Sequence, residues 1–216
     1  MKLDTFSYNS ASGWSCGTFP ALDSDRTLVI IFGAPEFAGT PEPVQEIARA
    51  YPSSQIVGCS TAGEIFGTNI SDLSLSVAVV RFDRGAVAPA FAPVRAAEES
   101  YAAGESLASQ LARPSLQCVL VLSDGLKVNG SELVRGINSA LPESVVVTGG
   151  LAGDGDRFQS TWLIRDGTPS CCGFVTAVGL YGDSIKIHHG SKGGLDIFGP
   201  ERLITRSDGN VLYELD

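Results

Sequence analysis

The chain carries one block of sequence twice. Shifted by 90 residues without a gap, residues 28–63 lie over 118–153, and ten of the 36 aligned pairs are identical. They are Val29/Val119, Glu42/Glu132, Val44/Val134, Ile47/Ile137, Ala50/Ala140, Pro52/Pro142, Ser54/Ser144, Val57/Val147, Ala62/Ala152 and Gly63/Gly153. The next pair, Glu64/Asp154, keeps an acid. Ordinary amino-acid usage gives roughly two identities over such a stretch. The repeat is therefore a constraint on the fold: what the first block forms, the second forms too.

Each block reads as strand, helix, strand. TLVIIF and QCVLVL are short unbroken apolar runs, the mark of strands buried on both faces. PEPVQEIARAYP and SELVRGINSALP place apolar residues at helical spacing (Val44, Ile47, Ala48; Val134, Ile137), and each closes on a proline that cannot continue a helix. SQIVG and SVVVTG then supply second strands. This order and length predict a right-handed parallel βαβ unit, made twice. Outside the repeat, LSLSVAVVRF predicts a long strand, and FQSTWLIRDGTPSCCGFVTAVGLYG a hairpin turning at Asp166-Gly167. AAEESYAAGESLASQLA predicts a helix with Gly104 as its weak point, and SIKIHHG through RLITRSDGNVLYELD predicts further strands. Nothing resembles a Pro/Ser-rich linker. The expected fold class is α/β (mixed α+β): one compact domain over 1–216, with pseudo-repeats at about 27–82 and 117–182. Two mixed sheets face each other and helices pack outside, an αββα arrangement.

A chain of 216 residues, 44% hydrophobic, is long enough for a sizeable core. Its formal net charge of −9, with no basic cluster, argues against a nucleic-acid partner. No apolar run approaches the roughly 18 residues of a membrane span. The opening MKLDTFSYNSASG lacks the apolar centre of a signal peptide, so a cytoplasmic location is expected. The five cysteines (Cys16, Cys59, Cys118, Cys171, Cys172) are scattered, odd in number and without a CxxC spacing. That argues against a disulfide framework or zinc site and for small buried apolar residues. Cys171 and Cys172, adjacent on a predicted strand, face opposite ways. Trp14 and Trp162 read as core or edge anchors.

In parallel βα units, ligands gather at the carboxyl ends of the strands. Four such ends stand out: IIFGAPE, IVGCSTAGE, VLSDGLK and VVTGGLAGDG. All are rich in Gly, Ala and Ser, and each carries an acid nearby: Glu36, Glu64, Asp124 or Asp154. Two readings fit. Small residues bare the backbone for a ligand, or they serve only tight strand-to-turn crossings. On the ligand reading, backbone amides around Gly150 and the hydroxyls of Ser60 and Thr61 hold a carboxylate. Glu64, Asp124 or Asp154 then receives an ammonium, as a small zwitterion requires.

Enzyme signatures are missing. GGLAGDG lacks the Lys-Ser/Thr of a P-loop and its glycines are not in GxGxxG order; GxSxG is absent. Cys59 and the acids are the remaining catalytic candidates. The only histidines, His188 and His189, sit at no signature spacing from Cys59. As neighbours on a strand, the two rings would point to opposite faces, so at most one serves a given metal or haem. A non-enzyme is the expectation.

GCSTAGEI at 58–65 is similar to the most characteristic segment of FIST domains, which are intracellular sensory modules. Further matches come in the family's order: Trp14, DSDRTLVIIFG at 23–33, VLSDGL, GGLAGDG at 149–155, and GFVTAVGLYGD at 173–183. HHGSKGGLDIFGP at 188–200 resembles the later Gly-rich segment without the tryptophan the family places after its glycine. The resemblance implies a non-enzymatic input domain that senses a small ligand, amino acids being proposed for many members. Its partners would be output modules such as histidine kinases, chemoreceptors or cyclic-di-GMP enzymes. No membrane partner and no cofactor are expected, except that some members carry haem and sense nitric oxide, which would fall to His188 or His189. Residues 183–216 resemble the start of the family's C-terminal half. The chain is thus expected to be a short form or a piece, stopping where the family's C-terminal half begins.

Overall fold

The two blocks build the same sheet twice in the computed structural model of the chain, which describes residues 1–171, 173–188, 190, 196–209 and 211–216. The first half runs β1 (Lys2–Asn9), β2 (Gly13–Trp14), β3 (Thr27–Gly33), α1 (Glu42–Ala50), β4 (Gln55–Ser60), a short hairpin of β5 (Glu64–Phe66) and β6 (Asn69–Ser71), and β7 (Ser74–Arg81). The second runs β8 (Ala86–Pro93), α2 (Ser100–Leu111), β9 (Leu116–Ser123), α3 (Gly130–Ala140), β10 (Val146–Leu151), a hairpin of β11 (Trp162–Arg165) and β12 (Thr168–Cys171), and β13 (Phe174–Tyr181). A last hairpin, β14 (Ile204–Asp208) and β15 (Val211–Leu215), follows. Strand β3 pairs parallel with β4 and antiparallel with β7, which pairs with β1. Strand β9 pairs parallel with β10 and antiparallel with β13, which pairs with β8. The orders β4-β3-β7-β1 and β10-β9-β13-β8 are thus one design repeated.

Alternation along the strands makes three cores. Val29 and Ile31 face outward to Val44 and Ile47 of α1. Leu28 points inward to Val57, Cys59, Cys118, Leu122 and Val178 between the sheets. On the far side, Val119, Val121 and Val175 meet Leu107, Leu111, Leu133 and Ile137 of α2 and α3. The order is therefore helix, sheet, sheet, helices, as the patterning predicts. Gly104 is not a weak point. A Cβ there would lie 2.3 Å from the Leu133 carbonyl oxygen, and one on Gly136 would lie 2.1 Å from that of Tyr101. The two helices pack backbone to backbone, and glycine is what lets them.

The tail departs from expectation in part. Residues 184–188 form no strand, while 204–208 and 211–215 do. Strand β8, carrying Pro89 and Pro93, takes the edge of its sheet, where a missing N–H is tolerated. Cys172 and the side chain of Cys171 lie outside the described residues, as does His189.

Two features bring the halves together. After β10 the chain crosses to the other sheet: the Gly153 N–H donates to the Ser60 carbonyl at 2.9 Å. Strand β11 then pairs with β4 at Leu163↔Cys59. The fully buried Trp162 fixes this crossing. Its backbone N–H donates to Ser60 Oγ at 3.1 Å, and its indole Nε1 donates to the Ala34 carbonyl at 3.1 Å. The first half's sheet is thereby completed by a hairpin of the second. Secondly, the repeat slips by one residue. Ile31 stands opposite Gly58, but Val121 stands opposite Gly149 rather than Thr148. The reason is steric: a Cβ on Gly58 would lie 2.1 Å from the Ile31 carbonyl oxygen, and one on Gly149 1.7 Å from that of Val121. Only glycine fits either place, so the glycines set the register. Glu64 and Asp154, aligned in sequence, therefore hold inequivalent positions.

Candidate functional site

The loops after β3, β4 and β10 converge on a cleft of about 370 Å³, closed on one side by residues 72 and 73 before β7. It is lined by five acids, Glu36, Glu64, Asp72, Asp154 and Asp156, and one base, Arg157. Arg157 ties the halves across it. Its Nη1 donates to Glu36 Oε1 at 2.8 Å, and its Nε donates to the Asp154 carbonyl at 2.8 Å. That hydrogen bond is the main reason the Glu36 carboxyl is held below its ordinary range and the guanidinium is raised. The other end of the guanidinium, Nη2, has no partner among the described residues.

Each rim is braced by its own carboxylate. Glu64, 3% exposed, accepts from Thr61 Oγ1 at 2.7 Å through Oε1, and from the Ser74 hydroxyl at 2.8 Å and amide at 3.3 Å through Oε2. It pins the Gly-Cys-Ser-Thr-Ala-Gly turn to the start of β7. Asp154 Oδ2 accepts from the amides of Gln159 (2.7 Å) and Ser160 (2.9 Å), and Oδ1 from that of Phe158 (3.1 Å). The Ser160 and Gln159 amides, more than any nearby charge, hold the Asp154 carboxyl below its ordinary 3.8. Two non-glycine residues with positive φ flank the cleft, Leu73 at 52° and Phe158 at 49°. Such backbone persists where its surroundings over-determine it.

Of the six residues read from sequence as a site, Thr61, Glu64 and Asp154 line this cleft. Ser60 and Asp124 do not. Ser60 is fully buried, its hydroxyl accepting from Trp162. Asp124 is 1% exposed, its Oδ1 accepting from the Leu126 amide at 2.8 Å and the Thr161 hydroxyl at 3.1 Å. Its Oδ2 has no partner among the described residues. Gly150 lines a different space, an open groove of about 940 Å³ between β10 and the start of α3. Sequence reasoning noticed Glu36 without placing it in the site, and missed Arg157 altogether. The only available signal was a lone cation after a run of glycines and aspartates.

The other candidates lie elsewhere. Cys59 is buried between the sheets, and burial pushes its thiol up to about 12, the reverse of an activated nucleophile. His188 is exposed and outside the cleft. Among the described residues, no group of three or more His, Cys, Asp and Glu side chains is placed to hold a metal ion, and no helix is long and apolar enough to cross a membrane. No curated protein matches the chain. The family model for the FIST N domain matches residues 27–216, and the chain therefore belongs to the FIST family of sensory domains.

Proposed function

We propose that this domain is a signalling input module that binds a small zwitterion, an amino acid or a close relative, in the cleft between its two halves. The observation that carries the reading is Arg157. It reaches from the second half's rim to Glu36 of the first, over a cleft whose other charged lining residues are all acids, with Nη2 left over. A ligand carboxylate pairs with that guanidinium, and the ligand ammonium meets the acids around it. Thr61, Glu64 and Asp154 shape the walls. Ser60 and Asp124 serve the crossing beneath. The ligand favours one arrangement of the halves, and the shift in populations is what a fused or separate output partner reads. A differential affinity of a few kcal/mol suffices. The reading places the domain in the cytoplasm and calls for neither catalysis nor a cofactor.

A thermal-shift screen of amino acids and related metabolites tests it. A ligand at 100 times its dissociation constant adds about 2.7 kcal/mol of apparent stability. Arg157→Ala is expected to abolish that gain. Gly150→Ala, at an exposed position where an added Cβ meets nothing within 4 Å, is expected to keep it. A flat screen, or a gain untouched by Arg157→Ala, overturns the proposal.

A further inference from the structure

The hairpin that completes the first half's sheet has a second, unseated relative in the same chain. In the first half, the space beside α1 and the β4 edge is filled by β11–β12, whose Gly167 turn sits so close that a Cβ there would lie 2.7 Å from Ala48 Cβ. In the second half, the corresponding space beside α3 and the β10 edge is the groove of about 940 Å³. There, among the described residues, β10 is the terminal strand of its sheet, with Gly149, Gly150 and Leu151 exposed. An uncovered edge presents a row of unpaired amides and carbonyls to any strand that reaches it.

The chain also holds a matching occupant. Among the described residues, strands β14 and β15 pair only with each other, and every described residue of both is exposed. Ile204, Val211, Leu212, Tyr213 and Leu215 are all about half exposed, so the hairpin has apolar faces and no surface to bury them on. An isolated two-stranded hairpin of this kind is marginal in water. The two hairpins share one local feature, an arginine just before an Asp-Gly: Arg206 two residues ahead of Asp208-Gly209, and Arg165 directly ahead of Asp166-Gly167. The route is short. Gly190 already lines the groove, and residues 191–203 are all that separate it from β14.

We infer that β14–β15 docks along the open edge of β10 in its own chain, beside α3, as β11–β12 docks along β4. The tether favours its own edge over that of a second molecule, because a linked segment meets its site at high effective concentration. Docking extends the four-stranded sheet and fills the groove lined by Gly150.

Hydrogen exchange on the whole chain tests this. Val211→Pro removes a ladder donor from an exposed hairpin and leaves the cores intact. It is expected to speed exchange across residues 146–151 by about tenfold, with residues 55–60 unchanged. The reciprocal variant, Leu151→Asp in the groove, is expected to speed exchange across 204–215. Exchange at 146–151 that ignores Val211→Pro, or hairpin amides that exchange at the rate of an unstructured chain in the parent protein, overturns the inference. So does protection that vanishes on dilution together with a dimer mass in light scattering, which would mean the edge takes the hairpin of a second copy.

Discussion

The two parallel units start from one pattern and end differently. The first closes into a tied, charged rim: Glu64 is clamped by Thr61 and Ser74, and the β4 edge is covered. The second ends at a strand with no outer neighbour among the described residues, beside a wide groove, while the loop beyond it swings over to the first half and is held by Asp154. A duplicated scaffold therefore does not give a duplicated site. The repeat supplies two sets of glycine-rich strand ends, and one crossing loop brings members of both sets to a single cleft.

The largest test of that comparison is steric. Gly58→Ala and Gly149→Ala are each expected to cost about 3 kcal/mol in urea unfolding, because the obstructing atom is a backbone carbonyl that cannot move aside. Gly149→Ala should cost more, its φ of +154° adding strain to the closer contact. The reverse order would show that the open edge lets β10 swing outward, and that the two units differ in stiffness as well as in cover.

Next comes the crossing itself. Trp162→Phe removes the indole donor from the buried Ala34 carbonyl, leaving it the Phe37 amide at 3.2 Å, and thins the packing at a fully buried site; it is expected to cost about 2 kcal/mol. Trp14→Phe, which loses a hydrogen bond to the exposed Glu46, is expected to cost under about 1 kcal/mol. Equal losses would deny the crossing its special place.

Acid sharpens the comparison of the rims. Asp154 and Glu36 both have carboxyls held below their ordinary values, so the stability they add is complete above those values, 3.8 and 4.5, and is lost as pH falls through the lowered ones. Denaturation midpoints followed below pH 4.5 should fall more gently in Asp154→Asn. Glu36→Gln should flatten the curve less, and only at low salt, since its partnership with Arg157 is exposed. A larger effect from Glu36 would make the bridge, not the loop, the rim's main brace.

The smallest effect expected is no effect. Cys59 and Cys118, one from each half, face the same inter-sheet core, with thiols pushed up by burial to about 12 and about 11. Peptide-level mass spectrometry after alkylation at neutral pH should find both unmodified in the folded protein. Labelling of one alone would locate a loose side of the interface.

Most of the scaffold was legible because it rests on local pattern. The apolar runs of β3 and β9, the helical spacing in α1 and α3 and the closing prolines are each written in a few adjacent residues. Strand β8 was not, since Pro89 and Pro93 argue against a strand until its edge position is known. The slip at Gly58 and Gly149 was hidden because identities at 57/147 and 62/152 favour the ungapped alignment, while the register answers to contacts with Ile31 and Val121. The site was half legible. Thr61, Glu64 and Asp154 follow from strand ends, but Arg157 acts through a partner 121 positions away, which no local pattern records.

Strands β11 and β12 belong to one half by covalent order and to the other by pairing. Cutting the polypeptide between β7 and β8 would leave neither fragment whole: one would have a bare β4 flank, the other a tryptophan without its socket. Such fragments should be recoverable only by complementation, mixed and refolded together. By the same token the halves cannot part without undoing that pairing, and whatever widens the cleft must drag the borrowed ribbon with it.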